Sequence, residues 1–130
     1  MCIRDSLLDS AEADARLRSR FVEINIWRPI AEPVSHMPLA VCDSGSIAPN
    51  DLIATAENLK HEVYLLRYSP QHRWFYFPNM MRNETILIKG FDSMRDGRAR
   101  FTAHAAFDDP TTPPGAAPRE SIEARAMLFF

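Results

Sequence analysis

Seven short apolar runs separated by turn-forming residues constrain this chain more than any other feature. They read RFVEINIWRP (20–29), LAVCD (39–43), EVYLLRY (62–68), HRWFYFP (72–78), ETILIKGF (84–91), ARFTAHAAF (99–107) and ESIEARAMLFF (120–130). Within them apolar and polar positions alternate. Val22, Ile24 and Ile26 against Glu23, Asn25 and Trp27 have the period of a half-buried strand, with the Val and Ile side chains expected toward the core. Between the runs stand Asp43-Ser44-Gly45, Ser69-Pro70, Pro78-Asn79, Asp96-Gly97 and a proline-rich loop over 110–118, residues that reverse or stiffen the backbone. Only residues 6–20, SLLDSAEADARLRSR, read as a helix: they hold no Gly or Pro and offer Ser6, Asp9 or Ser10 as an N-cap. Strands spaced by short turns, without intervening helices, predict a mainly β fold. A sandwich or the double-stranded β-helix of a jelly roll is expected, with one N-terminal helix.

The totals bound the function. One globular domain is expected from 130 residues of which 46% are hydrophobic and 25% charged. A formal net charge of −2 with scattered Lys and Arg offers no basic field to a phosphate backbone, so a small neutral or acidic ligand is expected and nucleic acid is not. No apolar run approaches the roughly 20 residues that span a bilayer, and no signal-peptide core opens the chain, so a cytoplasmic protein without a membrane partner is expected. Gly45, Gly90, Gly97 and Gly115 lie dispersed, whereas a Rossmann or phosphate-cradling loop clusters its glycines. Cys2 and Cys42 make neither a disulfide framework nor a Cys-x-x-Cys motif, and Cys42 reads as a small core residue. Trp74-Phe75-Tyr76-Phe77 reads as strand and core rather than as a ligand platform. His36, His61 and His72, beside turns and charged segments, read as surface residues.

The last two runs carry polar groups on one face each. Side chains alternate along a strand, so Arg100, Thr102 and His104 share a face opposite Phe101, Ala103, Ala105 and Phe107. Arg119, Ser121, Glu123, Arg125, Met127 and Phe129 likewise oppose Ile122, Ala124, Ala126, Leu128 and Phe130. If the two strands pair as a hairpin across the proline-rich loop with these faces inward, His104 lies near Arg119, separated by a space the size of a carboxylate. A neutral imidazole ligates iron or zinc, and a guanidinium fork with a neighbouring hydroxyl grips a carboxylate. Arg119 and Arg125 lie six residues apart, roughly 20 Å along a strand, so one ligand cannot reach both, and Arg119 beside Ser121 is the choice. From spacing alone, a hydrogen-bonded, half-exposed strand histidine is the commoner reading of His104. Asp108 and Asp109, ahead of Pro-Thr-Thr-Pro, read as an Asx-type turn that opens the loop.

INIWRPI (24–30), PLAVCDSGSIAPNDL (38–52), YLLRYSPQHRWFYFP (64–78), ILIKGFDSMRDGRARFTAHAAFDDPTTPP (86–114) and PRESIEARAMLFF (118–130) together resemble the CmcJ/NvfI/AsaB hydroxylase/desaturase family of secondary metabolism, the gibberellin desaturase-like oxygenases. The resemblance implies a jelly-roll oxidoreductase that uses Fe(II) and 2-oxoglutarate on a small-molecule substrate. His104 resembles the family's late iron ligand, and Arg119 and Ser121 resemble the Arg-x-Ser that binds the distal carboxylate of 2-oxoglutarate. Asn25, Arg28, Tyr64, Tyr76, Lys89 and Arg125 are second-tier candidates, placed by strand face and family block. One departure matters: His36-Met-Pro, His61-Glu-Val, His72-Arg-Trp and His104-Ala-Ala include no His-x-Asp or His-x-Glu, the form of the first two ligands. Residues 1–6, MCIRDS, resemble a translated sequencing adaptor, so the expectation is that residues 7–130 are the C-terminal part of a single jelly-roll domain whose missing ligands lie upstream. Such a fragment is expected to bind iron weakly, to be inactive alone and to express poorly. The alternatives are a non-catalytic β-barrel that binds a small ligand, and a methyltransferase, which the absence of a Gly-rich cofactor loop disfavours.

Overall fold

A computed structural model describes residues 9–55 and 64–130. The adaptor-like hexapeptide, with Cys2 and the candidate cap Ser6, lies outside these residues, as do His61 and the first two residues of the 62–68 run. The helix α1 (Ser10–Leu17) is shorter than its alanine-rich sequence predicts. Asp9 caps it, accepting a hydrogen bond from the Glu12 amide at 2.9 Å, which satisfies one of the amide groups the first turn leaves unpaired. Glu12 and Arg16 pair one turn apart at 2.6 Å, and the Arg16 guanidinium sits 5.3 Å from the centroid of the Phe129 ring, which docks the helix against the sheet.

The strands are β1 (Phe21–Pro29), β2 (Leu39–Cys42), β3 (Leu52–Ala54), β4 (Tyr64–Leu66), β5 (Trp74–Tyr76), β6 (Ile86–Asp92), β7 (His104–Ala106) and β8 (Ser121–Phe129). Seven match the apolar runs, and β3 is an addition that pairs with β4 after a proline-led turn. Two antiparallel three-stranded sheets result, ordered β6-β1-β8 and β5-β2-β7. The expected β7–β8 hairpin does not form: β7 pairs with β2, and β8 pairs with β1 along nine residues from Phe21↔Phe129 to Pro29↔Ser121. The proline-rich loop instead carries the chain from one sheet to the other. Asp109 opens it with the Asx turn expected, accepting from the Thr111 amide at 2.8 Å, and Thr112 Oγ1 pins it to the Ser35 carbonyl at 2.9 Å. At the earlier Asp96-Gly97 turn, between β6 and β7, Gly97 takes φ +95°, a conformation that side chains oppose.

The core lies between the two sheets: Trp27, Ile86 and Ile88 from one, Leu39 from the other, and Val34 and Met80 from the bridged segments beside them. Val22 is buried as expected, but past Ile24 the expected faces of β1 are reversed. Trp27 and Asn25 are each 4% exposed, while Ile26 is 36% exposed. Alternation decides which residues share a face, but the side that gains a partner sheet decides which face is buried, and the indole has the larger area to bury. A bulge lies opposite Glu23 and Ile24, whose partners jump from Phe91 to Lys89 across Gly90. A Cβ on Gly90 would stand 2.6 Å from Glu23 Oε1, so the glycine leaves room for that carboxylate.

The aromatic run also departs from expectation. Trp74, Phe75, Tyr76 and Phe77 are 38–56% exposed, because β5 is paired only with β2 among the described strands and is an edge.

Candidate active site

His104 stands opposite Val41 on β2, and Val41 opposite Phe75 on β5. Directly opposed residues share a face, and Leu39, two residues before Val41, packs in the core with Trp27, so His104 belongs to the face turned toward the other sheet. Its imidazole Nδ1 lies 3.0 Å from the Thr102 carbonyl oxygen. A carbonyl only accepts, so Nδ1 carries a proton, and in the neutral ring Nε2 then keeps its lone pair, the tautomer that can ligate a metal.

Arg119 precedes β8 and is half-buried. Its Nη1 donates to the Met37 carbonyl at 2.6 Å, and its guanidinium lies 5.7 Å from the centroid of the Trp27 ring. Ser121, half-buried, opposes Pro29 on the same inward face as Asn25 and Trp27. Met37 precedes β2, so the Arg119 fork lies beyond the end of the strand with which His104 pairs. His104 thus stands in one sheet and Arg119 just ahead of a strand of the other, rather than on the two arms of one hairpin.

The second-tier residues separate into two groups. Asn25 and Arg125 are register partners on the inward face, and Arg125 Nε donates to Asn25 Oδ1 at 3.2 Å. The others do not face that space. Tyr76 opposes Ala40, whose other partner is Ala105, and so points away from His104; it meets the Phe107 ring edge-on at 5.0 Å. The negative charge of Asp109 beside it pushes the Tyr76 phenol up, while the hydrogen bonds from Thr111 hold Asp109 below the usual carboxylate range. Tyr64 stacks on Phe101 at 5.5 Å and is 61% exposed. Lys89 opposes Ile24, on the face away from Asn25, and its ammonium is taken up by the Ala99 carbonyl at 3.1 Å and Asp92 at 3.5 Å. Arg28, exposed, donates to the Arg82 carbonyl at 2.8 Å.

Sequence reasoning missed the pairing of His72 with Asp51. His72, expected at the surface, has a side chain only 2% exposed and lies 2.9 Å from Asp51, whose carboxyl it lowers by that hydrogen bond. The partners are separated by 21 residues with no periodic relation, so no local pattern announces them. The pair ties the turn before β3 to the segment entering β5.

Among the described residues no three His, Cys, Asp or Glu side chains group as a metal site. By themselves these residues do not make an iron centre, because metal affinity requires several ligands held together.

Residues 2–129 match the family described as the oxidoreductase/YMDC permease-like domain. The chain is 37% identical over 140 residues to the hydroxylase/desaturase AsaB of Aspergillus flavus, covering 95% of this chain and 61% of that protein. It is 36% identical over 124 residues to aspirochlorine biosynthesis protein N of Aspergillus oryzae, covering 92% and 52%. It is 37% identical over 126 residues to the Fe(II)/2-oxoglutarate-dependent dioxygenase NvfI of Aspergillus novofumigatus, covering 87% and 42%. A solved structure of NvfI, titled an iron and alpha-ketoglutarate-dependent endoperoxidase, superposes with a TM-score of 0.83 at 35% identity over 94% of this chain and 47% of that one. The chain therefore spans about half the length of these relatives. Its mainly β architecture is the corresponding part of a jelly roll, and the chain belongs to the hydroxylase/desaturase family that includes AsaB and NvfI.

Proposed function

We propose that this chain forms part of a non-haem Fe(II)/2-oxoglutarate-dependent oxidoreductase acting on a small molecule, in which His104 is one iron ligand and Arg119 with Ser121 receives the distal carboxylate of 2-oxoglutarate. The observation that carries this reading is the imidazole of His104, exposed on the strand face it shares with Val41 and Leu39, with Nδ1 held by the Thr102 carbonyl and Nε2 left as a donor atom in the neutral ring. The names of the relatives support the chemistry: NvfI is called an Fe(II)/2-oxoglutarate-dependent dioxygenase and AsaB a hydroxylase/desaturase.

Iron, when bound, supplies the oxidising chemistry, and the remaining ligands come from outside the described residues. What this chain contributes is positioning. Thr102 fixes the ring plane and tautomer of His104. The Met37 carbonyl and the Trp27 ring hold the Arg119 guanidinium in place, so less side-chain freedom is lost when a carboxylate binds. Trp27, buried beneath it, keeps water from that side of the fork.

The test is succinate release from 2-oxoglutarate by the full gene product carrying this chain, with Fe(II) and O₂. His104→Ala is expected to abolish release. Arg119→Ala is expected to weaken 2-oxoglutarate at least tenfold, the scale of a lost charge-assisted fork. Undiminished release by His104→Ala would defeat the reading. The non-catalytic alternative predicts carboxylate binding with no release in the unmodified protein.

A further inference from the structure

We infer that Arg125 is a second carboxylate-binding fork, distinct from Arg119, which receives an acid group of the organic substrate. The substrate assignment rests on the function proposed above; the fork rests on the geometry. Asn25, 4% exposed, accepts from Arg125 Nε at 3.2 Å, and Glu23 Oε1 stands 3.5 Å from the same nitrogen. Gly90 makes room for that glutamate, since any Cβ there would meet Oε1 at 2.6 Å. Both oxygens therefore engage the inner edge of the guanidinium. The two terminal nitrogens have no partner among the described residues, and the side chain is 52% exposed. That free end matches the two oxygens of a carboxylate, and a buried amide bonded to Nε holds it in one orientation.

The position separates this fork from the co-substrate. Six residues along β8, roughly 20 Å, part it from Arg119, whereas a five-carbon dicarboxylate spans about 6 Å. Arg125 stands instead near the level of the imidazole. The Thr102 amide donates to the Lys89 carbonyl at 2.9 Å, and the Thr102 carbonyl in turn holds His104. Lys89 opposes Ile24, and Ile24 opposes Ala126, the residue next to Arg125. A ligand gripped by Arg125 thus lies in the same inter-sheet space, one rung from the one to which His104 is tied.

The experiment follows the Nε–Hε resonances of the ¹⁵N-labelled full gene product carrying this chain during titration with propionate, with chloride at equal ionic strength as the reference, and measures 2-oxoglutarate binding in parallel. Propionate is expected to shift the Arg125 signal saturably while chloride does not. Asn25→Ala, which frees the fork, and Arg125→Lys, which keeps the charge without the fork, are each expected to weaken propionate at least fivefold. Arg119→Gln is expected to leave propionate unchanged and to remove 2-oxoglutarate binding, and Arg125→Gln to do the reverse. Propionate acting no more strongly than chloride, or binding unaltered by both Asn25→Ala and Arg125→Lys, overturns this inference. If 2-oxoglutarate binding still depends on Arg119 in that case, the proposed function stands without it.

Discussion

At the scale of single residues, Asp92 shows how a charge is kept inside a small sheet. It is fully buried, yet Arg20 meets it at 2.9 Å, Lys89 at 3.5 Å and the Met94 amide at 3.0 Å. The Arg20 hydrogen bond holds its carboxyl well below the usual carboxylate range. Because the folded state lowers the pKa of Asp92, the stabilisation is present above the unfolded value of about 3.9 and is lost as pH falls below it. Asp96, held at about 2 by Arg98, and Asp51, lowered by His72, act in the same direction. The urea midpoint is therefore expected to fall between pH 5 and pH 2.5, and Asp92→Asn is expected to be less stable at pH 7 with a flatter acid limb. An acid limb of unchanged slope in that variant would show that Asp92 is not the group responsible. The Arg20 partner of Asp92 was not visible in the sequence, where the two stand 72 residues apart.

At the scale of elements, the sheet formed by β6, β1 and β8 carries the inward polar groups, and its bulge decides how they sit. The Glu23 carboxylate overlies Gly90 because no side chain occupies that position. Gly90→Ala is expected to cost about 1 kcal/mol, near the low end for overpacking because the displaced atom ends a flexible side chain. In a Glu23→Ala background the same substitution is expected to be neutral or stabilising, because the obstruction is gone and alanine is the better strand residue. Chemical denaturation of the four proteins in this cycle measures the coupling, and additive costs would place the strain elsewhere. The strands themselves were legible as apolar runs between turn residues, and the Asp109 turn was legible from Asp-Pro-Thr-Thr-Pro. Pairing was not, because the proline-rich loop moves the chain between sheets instead of folding β8 back on β7.

At the scale of the whole molecule, burying Trp27 and Asn25 leaves an apolar face on the other side of the same sheet. Leu87 is 68% exposed, Ile122 56%, Leu128 43% and Ile26 36%, and register places Ile26 between Leu87 and Ala124. An apolar patch of this kind, edged by Arg28 and Lys89, favours association in water. Replacing Leu87 and Ile122 together by Lys is expected to change folding stability by no more than about 0.5 kcal/mol per site. The monomeric fraction in size-exclusion chromatography is expected to rise; a large loss of stability would show that the face is packed in the isolated chain. The sequence by itself determined the β class, the turn positions, the family blocks and the residues that share each strand face, because these depend on local backbone preference and on the two-residue period of a strand. Only the tertiary structure decided which face is buried, that His104 and Arg119 belong to different sheets, and that Arg125 bonds to Asn25. Those outcomes depend on which sheet comes to lie against which, a long-range packing choice that no local period encodes.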